Sequence, residues 1–335
     1  MGAAHGLPSP PLAVCQTESS NLVRYILSRM LSSIPVLIGV TLLAFFAMRL
    51  VPGDVSLAIL RQEARPELVE QIRRTLGIDR PLLTQLVDWL AHVVRLDFGR
   101  SFTSGRPILP DVLALLPATL ELASAATLIS IAVAIPLGLL NAIKRGSLWD
   151  YGGRIVTVVG FSLPSFWLAL LFIKVVALDL HLLPAVGHVP FMKDPVGNLR
   201  TLILPAFSLG VGMAAVVARY TRSAMLDVLD EDYIRTARSK GLSETRTMTQ
   251  HALKNALIPV VTIIGIQMGT MIGGTVIVEE IFAWPGLGRY LLQAIYERDY
   301  PVVQTVIMVM AFFFLLINLV VDVLYAYLDP RIRYN

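Results

Sequence analysis

"VVQTVIMVMAFFFLLINLVVDVL" runs from Val302 to Leu324 and carries one charged residue, Asp322, near its end. A helix rises about 1.5 Å per residue, so roughly 20 apolar residues cross a hydrocarbon core near 30 Å. This stretch is long enough to span a bilayer. Five others match it, approximately from Leu31 to Leu50, Leu116 to Ile143, Ile155 to Leu178, Leu202 to Tyr220 and Leu257 to Ile281. Composition agrees: of 335 residues, 55% are hydrophobic and only 16% charged, where a soluble domain carries about 25%. The expected fold class is an all-α polytopic membrane protein with six transmembrane helices.

The chain divides accordingly. Residues 1–21, "MGAAHGLPSPPLAVCQTESSN", read as a disordered Pro-rich tail. They lack the charged start of a signal peptide, so the first span is expected to stay as an uncleaved anchor. Residues 22–115 hold that span plus an external helical segment. Residues 116–328 form a five-helix core with a polar segment, 222–256, projecting from it, and 329–335 are a C-terminal tail. Cys15 is the one cysteine, which excludes an intrachain disulfide and a cysteine metal cluster.

Charge sets the expected orientation. With the N-terminus inside, the cytoplasmic segments hold Arg24, Arg29, Lys144, Arg145, Arg154, Arg219, Arg222, Arg235, Arg238, Lys240, Arg246, Lys254, Arg331 and Arg333, while the two short external loops hold Lys193, Arg200, Arg289 and Arg298. The positive-inside rule then favours both termini in the cytoplasm of a multi-pass cell-membrane protein. The segment from Val51 to Leu115 is long enough to translocate whatever its charge and is left out. The net charge of +4 reports topology first, and no nucleic-acid partner is expected.

Local signals fill in the segments. "VPGD" (Val51 to Asp54) is a turn signal closing the first span. Pro66 suits a first helical turn and Gly77 a helix stop. Leu82, Leu83, Leu86, Trp89, Leu90 and Val93 follow helical spacing. These external helices read as a cap packed on the bundle, or as a surface that receives a partner. Gly265, Gly269, Gly273 and Gly274, with Gly210 and Gly212, allow close helix approach, for packing or for a mobile interface. Pro136 and Pro164 fall inside spans, where proline removes a donor and can bend a helix. Ser162 and Ser165 flank Pro164, and these three residues are the candidates for lining a substrate pathway.

Ionisable residues at membrane depth are functional candidates by default. Here they are Glu121, Lys174, Glu279, Glu280 and Asp322, all near span ends. They do not form the mid-membrane chain of acids that a proton-coupled carrier needs. No lysine follows a glycine, so a P-loop is absent, and the five scattered histidines include no H-E-x-x-H. "TSG" (Thr103 to Gly105) places a serine beside a glycine with no evident base. No catalytic residue, cofactor site or metal site is expected.

One polar stretch interrupts the apolar sequence: "DYIRTARSKGLSETRTMTQHALKNALIP", Asp232 to Pro259. From about Ser223 to Lys240, Met225, Val228, Leu229, Tyr233 and Ala237 follow three- and four-residue steps, predicting one amphipathic helix. Gly241 is expected to close it in the left-handed conformation. Ser243 is expected to cap a second helix that ends at Pro259. The result is a helical knob on the cytoplasmic side.

"DYIRTARSKGL" and "HALKNALIPVV" resemble the cytoplasmic motif of permease subunits of ABC importers, in the branch that carries peptides and nickel. The general motif is E-A-A-x-x-x-G, with I-x-L-P nine residues on. Aligned on Gly241, its first positions are Arg235, Thr236 and Ala237, and Pro259 comes five residues late. Both departures are typical of the peptide branch. "LGIDRPL" (Leu76 to Leu82), "DFGRSF" (Asp97 to Phe102), "LPATLELA" (Leu116 to Ala123), "VEEIFAWPGLGRYLLQAI" (Val278 to Ile295), "RDYPVVQ" (Arg298 to Gln304) and "VDVLYAYLDPRIRY" (Val321 to Tyr334) also match. The resemblance spans roughly Leu22 to Tyr334.

That resemblance implies a type I ABC importer transmembrane-domain architecture. The knob is then a coupling helix seated on an ATP-hydrolysing partner, with Tyr233, Arg235, Thr236, Ala237, Arg238 and Gly241 at the interface and Lys240 beside them. It implies a homologous second permease, two ATP-binding subunits that hold ATP and Mg, an extracytoplasmic solute-binding protein, and membrane lipid around the bundle. The implied cargo is a di- or oligopeptide, with nickel, glutathione or another small solute as alternatives. From the residues alone, a self-sufficient secondary carrier and an intramembrane hydrolase are the competing classes, and neither accounts for the knob.

Overall fold

The computed structural model describes residues 13–50, 55–60 and 65–328. The "VPGD" turn signal, the first twelve residues and the C-terminal tail from 329 lie outside the described residues. The chain forms α1 (Ala13–Leu50), α2 (Val55–Leu60), α3 (Pro66–Leu76), α4 (Leu82–Val94), α5 (Ile108–Ile143), α6 (Leu148–Ser162), α7 (Ser165–Phe172), α8 (Pro195–Leu229), α9 (Asp232–Ser239), α10 (Glu244–Arg246), α11 (Leu253–Ile281), α12 (Leu287–Tyr296) and α13 (Tyr300–Leu328). Two π-helical stretches, Ile173–Asp179 and Thr247–Ala252, continue α7 and join α10 to α11. Among the described residues five helices are long and apolar enough to cross a membrane, and a bent pair brings the number to six if it counts as one span.

The centre is the parallel pair α5 and α8, which meet from Glu121 beside Asn198 to Gly138 beside Ala218. Small residues face each other along it, among them Ala123, Ala126 and Ala134 on α5 and Ala206, Ala214 and Ala218 on α8. Gly138 and Gly210 permit the approach: a Cβ on Gly138 would meet the Ala218 carbonyl and Thr221, and one on Gly210 the Ala126 carbonyl at 3.0 Å. Between membrane helices, where lipid is as apolar as a side chain, such close contact is a main source of affinity. α11 joins this pair and also packs on α13. There Gly265 sits against Val321, and Gly269 against Phe314 and Asn318. The glycine row of α11 therefore serves tight packing within the chain at these two positions.

The third expected span differs from a simple crossing. α6 and α7 meet at a bend of 99°. Leu163, ahead of Pro164, is extended (φ −84, ψ 123), because the proline ring disfavours helical geometry in the residue before it. Pro136 lies inside an uninterrupted α5, and Pro205 inside α8. A second difference lies at the start. α1 reaches back to Ala13, into the segment expected to be a tail, since extending an existing helix needs no new nucleus.

The segment between the first two spans is helical, as expected. Gly77 ends α3 in the left-handed conformation (φ 67), its N–H reaching the Arg74 carbonyl while that of Ile78 reaches Arg73. α4 is tied to α1 by the Arg49 guanidinium, which donates to Gln85 Oε1 at 2.9 and 3.1 Å. The rings of Phe45 and Trp89 lie 5.8 Å apart beside that contact. This is the arrangement of a cap packed on the bundle.

Candidate functional site

α9 is a short polar helix on a built seat. Ile234 is fully buried and Ala237 nearly so. They pack with Ala142 at the end of α5, Met225 of α8, Met248 and Ala252 of the π-helical stretch, and Ala256 of α11. Three elements of the bundle thus meet under one turn of α9. The opposite face is polar and exposed, with Arg235, Thr236, Arg238, Ser239 and Lys240 all open.

The knob departs from its expected form in four ways. The helix expected from Ser223 to Lys240 is two helices, because α8 ends at Leu229 and α9 restarts after the Asp230–Glu231 turn. That break resets the helical phase, so Ile234 rather than Tyr233 takes the inward position. Ser243 begins the next helix with extended backbone, but its side chain makes no capping bond. The helix does not end at Pro259 either. It runs from Thr247 through to Ile281 with Pro259 inside, a placement that membrane helices tolerate because neighbouring groups re-satisfy the freed backbone.

The expectation at Gly241 holds. Its φ is +81, its N–H donates to Arg238 O at 2.9 Å, and that of Leu242 to Ala237 O at 3.4 Å. These two bonds make the Schellman closure, which satisfies the last carbonyls of α9. Arg238 bridges the turn to Glu244 at 2.9 Å. Tyr233, half-exposed, accepts a hydrogen bond at its hydroxyl from Asn255 Nδ2 at 2.7 Å. Arg235 pairs with Asp232 of its own helix, at 3.3 Å. The six interface candidates therefore form one small patch, with Ala237 at its base.

An ion pair with its carboxylate buried and its guanidinium partly exposed braces the seat. Arg222 of α8 grips Asp150 of α6 with two bonds, Nε to Oδ1 at 2.8 Å and Nη2 to Oδ2 at 3.0 Å. Asp150 also accepts from the Gly146 N–H at 3.0 Å. Sequence reasoning missed this pair. Its members stand 72 residues apart, and neither lies in a motif that singles it out.

At the far end, polar groups fix the loops. Asp299 accepts from Ser101 Oγ at 2.5 Å, the Phe102 N–H at 3.1 Å and Thr103 Oγ1 at 3.0 Å. The "TSG" turn is therefore held by a carboxylate. Tyr290 lines a cavity of about 320 Å³ next to it, and burial, reinforced by Asp111 and Asp299, pushes its phenol up to about 12. Glu279 is buried and accepts from Thr119 Oγ1 at 2.8 Å and the Arg289 N–H at 3.0 Å. Glu121 takes Asn198 Nδ2 at 2.6 Å and stands 3.3 Å from His188 Nε2. These acids organise loops. Of the pathway candidates, Ser162 and Pro164 are exposed at the bend, Ser165 partly so, and Ser162 Oγ bonds back to Val158 O at 2.9 Å.

The family described as binding-protein-dependent transport system inner membrane component matches residues 134–334, a range that takes in α9, its seat and its brace. The chain belongs to that family. The N-terminal model of the same transport component matches residues 22–123, including the α3–α4 cap. Of three relatives of this inner membrane component, two carry names that mention peptides and one a name that mentions glutathione. One, from Brucella abortus (strain 2308), is named for a peptide transport system permease and is 46% identical over 310 residues, covering 92% of this chain and 99% of its own. The di/tripeptide transport system permease DppB of Pseudomonas aeruginosa (strain UCBPP-PA14) is 41% identical over 335 residues, covering 94% and 100%. The glutathione transport system permease GsiC of Salmonella choleraesuis (strain SC-B67) is 41% identical over 314 residues, again covering 94% and 100%. Among solved structures, the inward-facing MetNI methionine ABC transporter has a chain that aligns with TM-score 0.57 at 19% identity, over 67% of this chain and 99% of that one. That likeness supports the fold of the transmembrane component.

Proposed function

We propose that this permease subunit forms, with a homologous second permease, the pathway by which di- and oligopeptides cross the cell membrane. The observation that carries its coupling role is α9, a polar helix seated on the ends of α5, α8 and α11. Two ATP-binding subunits bind ATP and Mg and grip the patch of Tyr233, Arg235, Thr236, Ala237, Arg238 and Gly241. Their closure pushes α9, and the shared seat carries the motion into three membrane helices at once, as rigid-body alternating access requires. An extracytoplasmic solute-binding protein delivers the cargo on the opposite side. Both termini and α9 lie in the cytoplasm, in keeping with the basic residues around the knob.

The peptide reading rests on the relatives, whose names specify peptide, di/tripeptide and glutathione transport. Nickel or another small solute is the alternative cargo within the class. A self-sufficient carrier finds no support in Glu121 and Glu279, whose oxygens are engaged by side-chain and backbone donors.

Co-expression of the chain with its neighbouring subunits tests the assembly. A cysteine at Thr236 should cross-link to an ATP-binding subunit, and the purified complex should take up a labelled dipeptide only when ATP is supplied. Uptake by the chain alone under an ion gradient would refute the proposal.

A further inference from the structure

Where α1, α11 and α13 come together near the α9 end, they enclose a groove of about 430 Å³ that is polar at one end and apolar at the other. At its polar end Arg29 Nε lies 3.4 Å from Asp322 Oδ2, and both side chains remain partly open. Arg29 is near the start of the apolar span that begins at Ile26, and Asp322 is next to the end of the span that closes at Val323. The pair therefore stands at the depth where headgroups meet hydrocarbon. Ser32 and Ser33 both donate to the Arg29 carbonyl at 2.8 Å, so their hydroxyls are spent within α1. Deeper in, Ile266, Phe314, Leu315 and Leu319 give the groove an apolar wall, with Thr262, Thr270 and Asn318 among them. An apolar recess of about 210 Å³ between α1 and α13 shares Ser33, Leu315 and Leu319 with it.

An ion pair this open adds little to stability, and charge at this depth attracts a headgroup of complementary charge. A molecule with a phosphate, a primary ammonium and an apolar tail complements the pair and the recess beside it. We propose that this groove binds an aminophospholipid, its phosphate on the Arg29 guanidinium, its ammonium on the Asp322 carboxylate and an acyl chain along Ile266 and Leu319. The planar guanidinium fork suits phosphate oxygens. A quaternary ammonium offers Asp322 no N–H donor, and an anionic headgroup offers it no cation. The site therefore selects phosphatidylethanolamine over phosphatidylcholine and phosphatidylglycerol.

The test uses the full chain in nanodiscs holding equal parts of these three lipids, with native mass spectrometry of the released protein. Phosphatidylethanolamine should be retained in preference. Asp322→Asn and Arg29→Ala should each lower its retention about tenfold, the scale of one lost charge-assisted bond. Ile266→Trp keeps the ion pair and fills the groove, so it should expel the lipid from a protein that still elutes as folded. Equal retention of the three lipids would overturn the proposal, as would unchanged retention in Ile266→Trp. So would a photo-cross-linker at Val36, another residue of this groove, that captures a protein chain instead of lipid.

Discussion

Gly241 and the Asp150–Arg222 pair show what single residues control here. A proline at 241 cannot adopt φ +81 and has no N–H for the Arg238 carbonyl. Gly241→Pro should therefore leave the chain inserted and assembled, with the turn after α9 re-aimed. ATP hydrolysis by the assembled complex should persist while ATP-driven uptake falls to background; uptake at the normal rate would refute the coupling role. Asp150 tests a different kind of dependence. It is buried and takes two bonds from Arg222, so Asp150→Ala strands a guanidinium. The guanidinium left behind is itself partly exposed, so the loss should cost about 1–3 kcal/mol, and the detergent-solubilised chain should melt below wild type. Arg235→Ala removes only an exposed bond within α9 and should shift stability by less than about 1 kcal/mol in the same assay.

Elements have their own failure modes. α9 is held to the bundle by Ile234 and Ala237, and Ile234 is fully enclosed. Ile234→Ala leaves a cavity under the helix and should cost about 2–4 kcal/mol. The loss should be local: hydrogen exchange of residues 232–239 should rise while that of α5 and α8 stays at wild-type rates. Exchange rising uniformly would mean that α9 is part of the bundle rather than a helix docked on it. The bend between α6 and α7 is set by Pro164 and the extended Leu163. Pro164→Ala restores a backbone donor and relieves Leu163. The 163–165 backbone should then gain exchange protection, and a spin-label pair at Val158 and Leu170 should report a bend well short of 99°.

At the scale of the whole molecule, the helical class, the approximate spans and the family were all legible in the chain. Length and apolarity alone determine that a segment such as Val302–Leu324 lies in the bilayer, because the membrane is a uniform solvent that each segment meets separately. Gly77 and Gly241 were equally legible, since only a residue without Cβ takes their backbone readily, and both close helices as expected. The phase of α9 was not. Periodicity through Met225, Val228, Leu229 and Tyr233 assumed one unbroken helix, and the turn at Asp230–Glu231 moved Ile234 into the inward position instead. Pro136 and Pro164 look alike as letters, yet one is absorbed within α5 and the other turns the chain by 99°. Which outcome a proline takes depends on what packs around the freed carbonyl. The Asp150–Arg222 brace, the loop-fixing acids at Glu121, Glu279 and Asp299, and the groove at Arg29 and Asp322 join residues far apart in the chain. Local pattern and solvent preference settled which segments are helices and which lie in the membrane. Only the packed bundle decided which polar groups meet, because that depends on distances no single segment contains.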